Sequence, residues 1–393
     1  MSSNSKTKQS NGVIGFGLTG GLSTGTIIIA TIVTVAIIAS IVIARRISNT
    51  NSDQSNIIHT FIDDTDPIDI IQPEPEPEPE PIACSEITWN SVPGPSKAWQ
   101  SSLFIEELDL VVYGSNDLTN SIAITDPNLT VFLTPNTPGS AVVLAYSPTL
   151  GNGSGRIIAA GTGATSMYSD DEGVTWITGQ GFPTVSNTIW SSAAWSDDLG
   201  LFVMGANTGI LAYGNGAIWN SVPNISGNQS ITSIIWTPLG GGKFVGTQFD
   251  QGLPNGTGHI ISSTNGMNWT RHSLTGVPQT NWFDITYSPE LGMIMMVGAF
   301  GPSIATTTSD PTLDDWTYST GSGQTGQTVV WSSGCGEFVS STFSRYATSP
   351  DGVNWTNKEL HGISNQITMT YISDNDTIIS AGFGGVIGKG TYI

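Results

Sequence analysis

Internal repetition constrains this chain more than any other feature: residues 82–393 carry the same two segments again and again. The first is an aromatic residue followed by a turn and a β-rich run. It reads Tyr146-Ser-Pro-Thr-Leu-Gly, Trp195-Ser-Asp-Asp-Leu-Gly, Trp236-Thr-Pro-Leu-Gly, Tyr287-Ser-Pro-Glu-Leu-Gly, Trp331-Ser-Ser-Gly-Cys-Gly and Tyr371-Ile-Ser-Asp-Asn-Asp, with a degenerate first copy at Phe104-Ile-Glu-Glu-Leu-Asp. The second follows about thirty residues later, a strand, a tight Asp/Asn-Gly turn and a strand carrying tryptophan. Copies end at Trp176, Trp219, Trp269 and Trp355, and two weaker ones run from Asp126 to Phe132 and from Asp310 to Trp316. A period of about 44 residues suits four strands per blade of a propeller.

The carboxyl end lacks a seventh copy of the second segment, stopping at Gly390-Thr-Tyr-Ile. That copy stands instead at the beginning, as Ile87-Thr-Trp89-Asn-Ser-Val-Pro, and nearly repeats at Ile218-Trp219-Asn-Ser-Val-Pro. A first strand that completes the last blade closes a ring and removes exposed sheet edges. The expected fold is therefore all-β, a single seven-bladed β-propeller over 82–393 closed by the N-terminal strand.

The segment from Ser169 to Trp176 matches the Asp-box pattern S-x-D-x-G-x-T-W, and the S-x-[DN]-G-x-x-W copies are one residue shorter. The chain thus resembles the Asp-box, or bacterial neuraminidase repeat, propellers over about four fifths of its length. That group includes sialidases, photosystem assembly factors, sorting receptors and repeat proteins of phage and large-virus particles. The resemblance is specific for fold and uninformative about activity. Within the motif, Gly173, Gly266 and Gly352 suit positive φ, Asp171, Asn265 and Asp351 can accept turn N–H groups, and Trp176, Trp269 and Trp355 should pack between blades.

Ahead of the repeats, a polar, glycine-rich tail (1–25) leads into an uncharged apolar run, Thr26 to Ala44. As a helix it would rise about 28 Å, the thickness of a bilayer's hydrocarbon core. It shows no polar face and ends in Arg45-Arg46 instead of a small-residue cleavage site, so it reads as a retained transmembrane helix whose partner is the lipid bilayer. Residues 45–81 form an acidic linker ending in the Pro-Glu stalk PEPEPEPEP, Pro73 to Pro81, a polyproline II rod of about 28 Å. Lys6 and Lys8 before the span balance Arg45 and Arg46 after it. A propeller poor in Lys and Arg, with eight N-x-[ST] sequons (Asn128, Asn152, Asn224, Asn228, Asn255, Asn268, Asn354 and Asn375), leans toward an extracytoplasmic or virion location.

Composition removes several functions. With 31 acidic against 11 basic residues and a formal net charge of −20, the chain would repel nucleic acid. His59, His259, His272 and His361 show no metal-ligand spacing, so no metal or cofactor is expected. The two cysteines, Cys84 and Cys335, are too few for a zinc site. The repeat alignment puts them on one face of adjacent blades, where a disulfide needs Cα atoms about 6 Å apart.

Trp99, Trp190 and Trp282 share one repeat position, five residues before the inner-strand aromatic. They are candidates to rim a channel mouth and stack on a ligand, with repeat packing as the simpler role. Arg271, His272, Arg345 and His361 are expected on the same face. The resemblance would imply, for a sialidase, three arginines converging on a substrate carboxylate. Past Arg45-Arg46 only Arg156, Arg271 and Arg345 remain, with Arg156 at the opposite end, and the Phe/Tyr-Arg-Ile-Pro signature is missing. The expectation is a membrane-anchored, non-enzymatic binding or structural module that presents one face to a protein or glycan. The rivals are a membrane-tethered glycoside-acting enzyme with a non-standard site and an assembly factor of a membrane complex.

Overall fold

Short runs rich in β-branched and aromatic residues, broken by Gly, Asp and Asn turns, form seven antiparallel meanders, one per repeat. The computed structural model describes residues 84, 86–183, 185–223, 229–249, 259–273, 281–299, 303–319, 326–342, 345–359 and 366–393. All lie within one unit, 76–393. The tail 1–25, the apolar segment 26–44 and the Pro-Glu linker 45–81 fall outside the described residues. Among the described residues no helix is long and apolar enough to cross a membrane.

Each meander is a propeller blade running from the channel outward. The inner strands are Trp99–Ile105, Val143–Ser147, Trp190–Ser196, Ser230–Thr237, Asn281–Ser288, Thr328–Ser332 and Gln366–Ile372, in blades 1 to 7. Six sheets have four strands. Blade 1 has three, because after Ile122–Thr125 the expected outer strand shrinks to an isolated bridge between Ile124 and Leu133. Pro135 and Pro138 follow at once, and a residue without an N–H cannot extend a ladder.

The core is divided into seven clusters, each between neighbouring blades. Trp176 packs with Ile105, Ile122 and Met167 between blades 1 and 2, and Trp219, Trp269, Trp316 and Trp355 do the same work at the next four junctions. Trp89 does it between blades 6 and 7, while Leu129 and Phe132 stand in at the junction of blades 7 and 1.

Around the channel, hydroxyls stitch inner strands together. Ser102 meets Thr368 at 2.9 Å and Thr370 at 2.7 Å, and Ser191 donates to the Ile231 carbonyl at 2.6 Å. Asp284 occupies this layer in blade 5. It accepts from Ser233 of blade 4 (2.8 Å), from the Thr328 hydroxyl and Val329 N–H of blade 6 (2.9 and 3.0 Å), and from its neighbour Ile285 (2.9 Å). Burial pushes its carboxyl above the usual range, and the four donors pull against that shift.

Ring closure is as expected. Ile87–Val92 pairs antiparallel with Ile387–Tyr392, from Ile87 opposite Tyr392 to Val92 opposite Ile387. Blade 6 holds the same strand from the side: the Tyr346 hydroxyl donates to the Ile87 carbonyl at 3.2 Å, and its ring meets Trp89 edge-on at 5.6 Å. Cys84 and Cys335 form a disulfide with Cα atoms 5.5 Å apart, joining the residues just before the closing strand to a blade 6 turn 251 positions away.

Two predictions follow from the ring. A cross-link enclosing so long a loop removes much unfolded-state entropy, about 3–5 kcal/mol. The Cys84→Ser/Cys335→Ser variant should therefore unfold at lower temperature, reductant should do the same to the wild type, and the variant should ignore reductant. Asp284→Ala strands donors from three blades and should lower stability by about 2–4 kcal/mol in urea titration.

Candidate functional site

The repeated hairpins are the first place to look for chemistry, and their polar atoms are consumed locally. In blade 2 the Gly173 N–H donates to Ser169 Oγ at 2.8 Å, and Asp171 accepts the Thr175 N–H at 2.8 Å and the Thr175 hydroxyl at 2.6 Å. The Trp176 indole N–H closes the turn on the Gly173 carbonyl at 2.9 Å. Blade 4 repeats it, with Asn265 accepting from Met267 and Asn268 at 2.9 and 2.8 Å and Trp269 donating to Gly266 at 2.9 Å. In blade 6 Asp351 accepts from Val353 and Asn354, and Trp355 donates to Gly352 at 3.2 Å. The backbone N–H groups of Asn354 and Val353 hold the Asp351 carboxyl at about 2. That turn is thus supported above the ordinary carboxylate range and loses the support as pH falls toward 2. These side chains fold the turn and leave nothing aimed at a substrate.

Gly173 also shows why the turn sits where it does. Its φ is +84°, and a Cβ there would run into Ile124 of blade 1. The corresponding glycines, Gly216, Gly266 and Gly352, press against Ile158, Leu201 and Met295 of the preceding blade. The motif is a device for docking one blade on the next.

The remaining sequence candidates do not come together. Trp99, Trp190 and Trp282 have no exposed surface, so the rim expected of them is corrected to interior packing against the adjoining blade. An indole at the first or second position of an inner strand is covered by the neighbouring meander. Arg271 and His272 lie in the outer strand of blade 4, Thr270–His272, where His272 Nε2 meets Ser262 Oγ at 2.8 Å and burial lowers its pKa. Arg345 begins the third strand of blade 6, Arg345–Ser349. His361 lies outside the described residues. Arg156 grips Asp170 through two nitrogens at 2.6 and 2.7 Å, donates to the Asn215 carbonyl at 2.8 Å and covers the Tyr168 ring at 4.5 Å. The three arginines stand in blades 2, 4 and 6. Among the described residues no group of His, Cys, Asp and Glu is arranged to hold a metal.

The concave feature of interest lies at the other end of the channel. The turns from first to second strand, and in blades 2 to 6 those from third to fourth strand, share one face, called here the hairpin face. Of the described carboxylate residues, all but Asp117, Asp284 and Glu359 sit on it. Among the described residues Arg156 on the hairpin face is taken by Asp170, Lys243 is taken by Asp310 of the next blade at 2.8 Å, and Lys358 of blade 6 acts on Glu337. The channel mouth on this face widens into a cavity of about 790 Å³ lined by Phe104, Glu106, Glu107, Pro289, Glu290, Trp331, Ser333, Tyr371 and Ser373. Blades 1, 5, 6 and 7 contribute.

Tyr371 is fixed there by donating to Asp376 and accepting the Gly334 N–H at 2.9 Å, and burial together with Asp376 raises its hydroxyl pKa. Trp195 of blade 3 donates its indole N–H to Asp197 at 2.7 Å. Its counterpart Trp331, 8% exposed, has Ser333 two residues on and makes no such bond. Sequence reasoning used these aromatics to count blades and passed over the acids beside them. The available signal was the Glu-Glu at 106–107 and Glu290, two to three residues after the repeat aromatics Phe104 and Tyr287.

The docking role of the hairpins predicts that Gly173→Ala, strained in both φ and contact, destabilises by about 2–3 kcal/mol, and that Trp176→Ala costs about 3–5 kcal/mol. Thermal or urea unfolding of the two variants checks both.

No protein family matches the sequence, and no curated protein does. Among solved structures 1319 chains match. The RRP9 WD40 repeats are similar over 78% of this chain and all of theirs, with TM-score 0.57 and 9% identity. YCF48 bound to D1 peptide is similar over 78% of this chain and 97% of its own, with TM-score 0.56 and 14% identity. At these identities the likeness is one of fold, a seven-bladed β-propeller.

Proposed function

We propose that the chain is a protein-binding propeller of the Asp-box type, carried on a stalk and a single membrane anchor, that engages its partner through the hairpin face and performs no chemistry. The observation that carries the reading is the segregation of charge: a closed ring presents one strongly acidic face with a concave mouth, and the cations on that face are paired internally. Such a field speeds encounter with a complementary partner and rejects like-charged ones. The Ser169–Trp176 turn supports the Asp-box assignment. The peptide-bound state of YCF48, a protein of similar fold, is in keeping with a protein partner. The Cys84–Cys335 bond favours an oxidising location, a cell exterior or particle surface. The apolar run 26–44 supports the anchor.

A second reading, the tethered glycoside-acting enzyme, draws on Glu106, Glu107 and Glu290 sharing one cavity. It requires glycan hydrolysis that Glu290→Gln abolishes.

The test uses the full chain in lipid nanodiscs with a photo-crosslinking residue at Leu313, 54% exposed on the hairpin face, or at Leu118, 69% exposed on the opposite face. A discrete protein adduct from Leu313 and none from Leu118 is expected. Adducts from neither position would sink the reading, and glycan turnover beside them would favour the enzyme. Carbonate extraction that releases the intact chain from membranes would remove the anchor.

A further inference from the structure

We propose that the channel mouth on the hairpin face is a receptor for an arginine- or lysine-bearing segment of the partner protein. The proposal deepens the protein-binding reading and rests on it. It names the site and the chemistry recognised.

The wall of the cavity combines two kinds of group that favour the same guest. Phe104, Trp331 and Tyr371 supply aromatic surface, and Glu106, Glu107 and Glu290 supply charge, with no base among the residues that line it. A guanidinium or ammonium is attracted both by an aromatic face and by a carboxylate. The acids at the cavity have no ion pair with Arg156 or Lys243, which are held by Asp170 and Asp310. Glu106, Glu107 and Glu290 are exposed, and the salt bridges among the described residues leave all three out.

Trp331 contributes part of its ring to the wall, 8% exposed, while its Nε1 is buried and out of a guest's reach. A second copy of this chain is a poor guest on charge, since the formal net charge is −20.

The experiment measures fluorescence anisotropy of a labelled Gly/Ser nonapeptide with two arginines, against the full chain in nanodiscs. A citrulline version of the peptide, the same length without the charge, is the comparison. Saturable binding of the arginine peptide and at least about tenfold weaker binding of the citrulline peptide are expected. The triple variant Glu106→Gln/Glu107→Gln/Glu290→Gln should lose about tenfold or more, with an unchanged unfolding midpoint. Asp198→Asn/Asp314→Asn, on the same face outside the cavity, should leave affinity within about twofold.

Equal losses from the two sets of substitutions would reduce the effect to diffuse attraction by the face and overturn the site, as would equal binding of both peptides. Self-association of the full chain that disappears in the triple variant would put a second copy, or the chain's own Lys6, Lys8, Arg45 or Arg46, in the cavity and overturn a separate partner. The Leu313 crosslink separates the two levels. A protein adduct that persists unchanged in the triple variant overturns the cavity and leaves the protein-binding reading standing, whereas loss of all adducts in the wild type removes both.

Discussion

The rest of the structure depends on one strand pairing: Ile87–Val92 laid against Ile387–Tyr392. Without it the last blade would end on an open edge, and Trp89 would leave the cluster it completes with Tyr346 and Met369. Main-chain ladders, the Tyr346 contacts and the Cys84–Cys335 bond act together on the same few residues. Redundancy there is understandable. A ring of blades that pack only on their neighbours transmits the failure of one junction to the two beside it.

The same logic explains why the conspicuous motifs are structural. A meander cannot bury its own faces, so each repeat must carry the means of docking on the one before it. The hairpin does this with a glycine that admits the neighbouring blade and a tryptophan pinned by its own turn. Their carboxylates and amides spend their hydrogen-bonding capacity within the turn. The turn residues at the mouth of the channel, Glu106, Glu107 and Glu290 among them, are exposed and take no part in that docking.

Charge is distributed in keeping with this division. Arg156 and Lys243 bridge adjacent blades, the first to the Asn215 carbonyl and the second to Asp310. Their partners hold them in place, and the remaining acids are left to set the potential of the hairpin face. Asp284 serves the channel wall instead, tying three blades through four donors.

Much of the fold was legible in the sequence because the information is local and repeated. Blade number, strand order, the closing role of Trp89 and the docking roles of Trp176, Trp269 and Trp355 all follow from spacing within about ten residues of a turn. The three-stranded first blade could have been anticipated from Pro135 and Pro138, which follow its weakest hairpin copy. The candidate site was not legible. Trp99, Trp190 and Trp282 stand out as a pattern yet lie wholly inside, because exposure at a blade's edge depends on how far the next blade overlaps it. Tertiary structure alone brought Cys84 within 5.5 Å of Cys335, and gathered Glu106, Glu290, Trp331 and Tyr371 around one opening. The physical reason is that a repeat specifies what each blade does to its neighbour, whereas a channel mouth is shaped by residues from opposite ends of the chain, whose proximity exists only once the ring has closed.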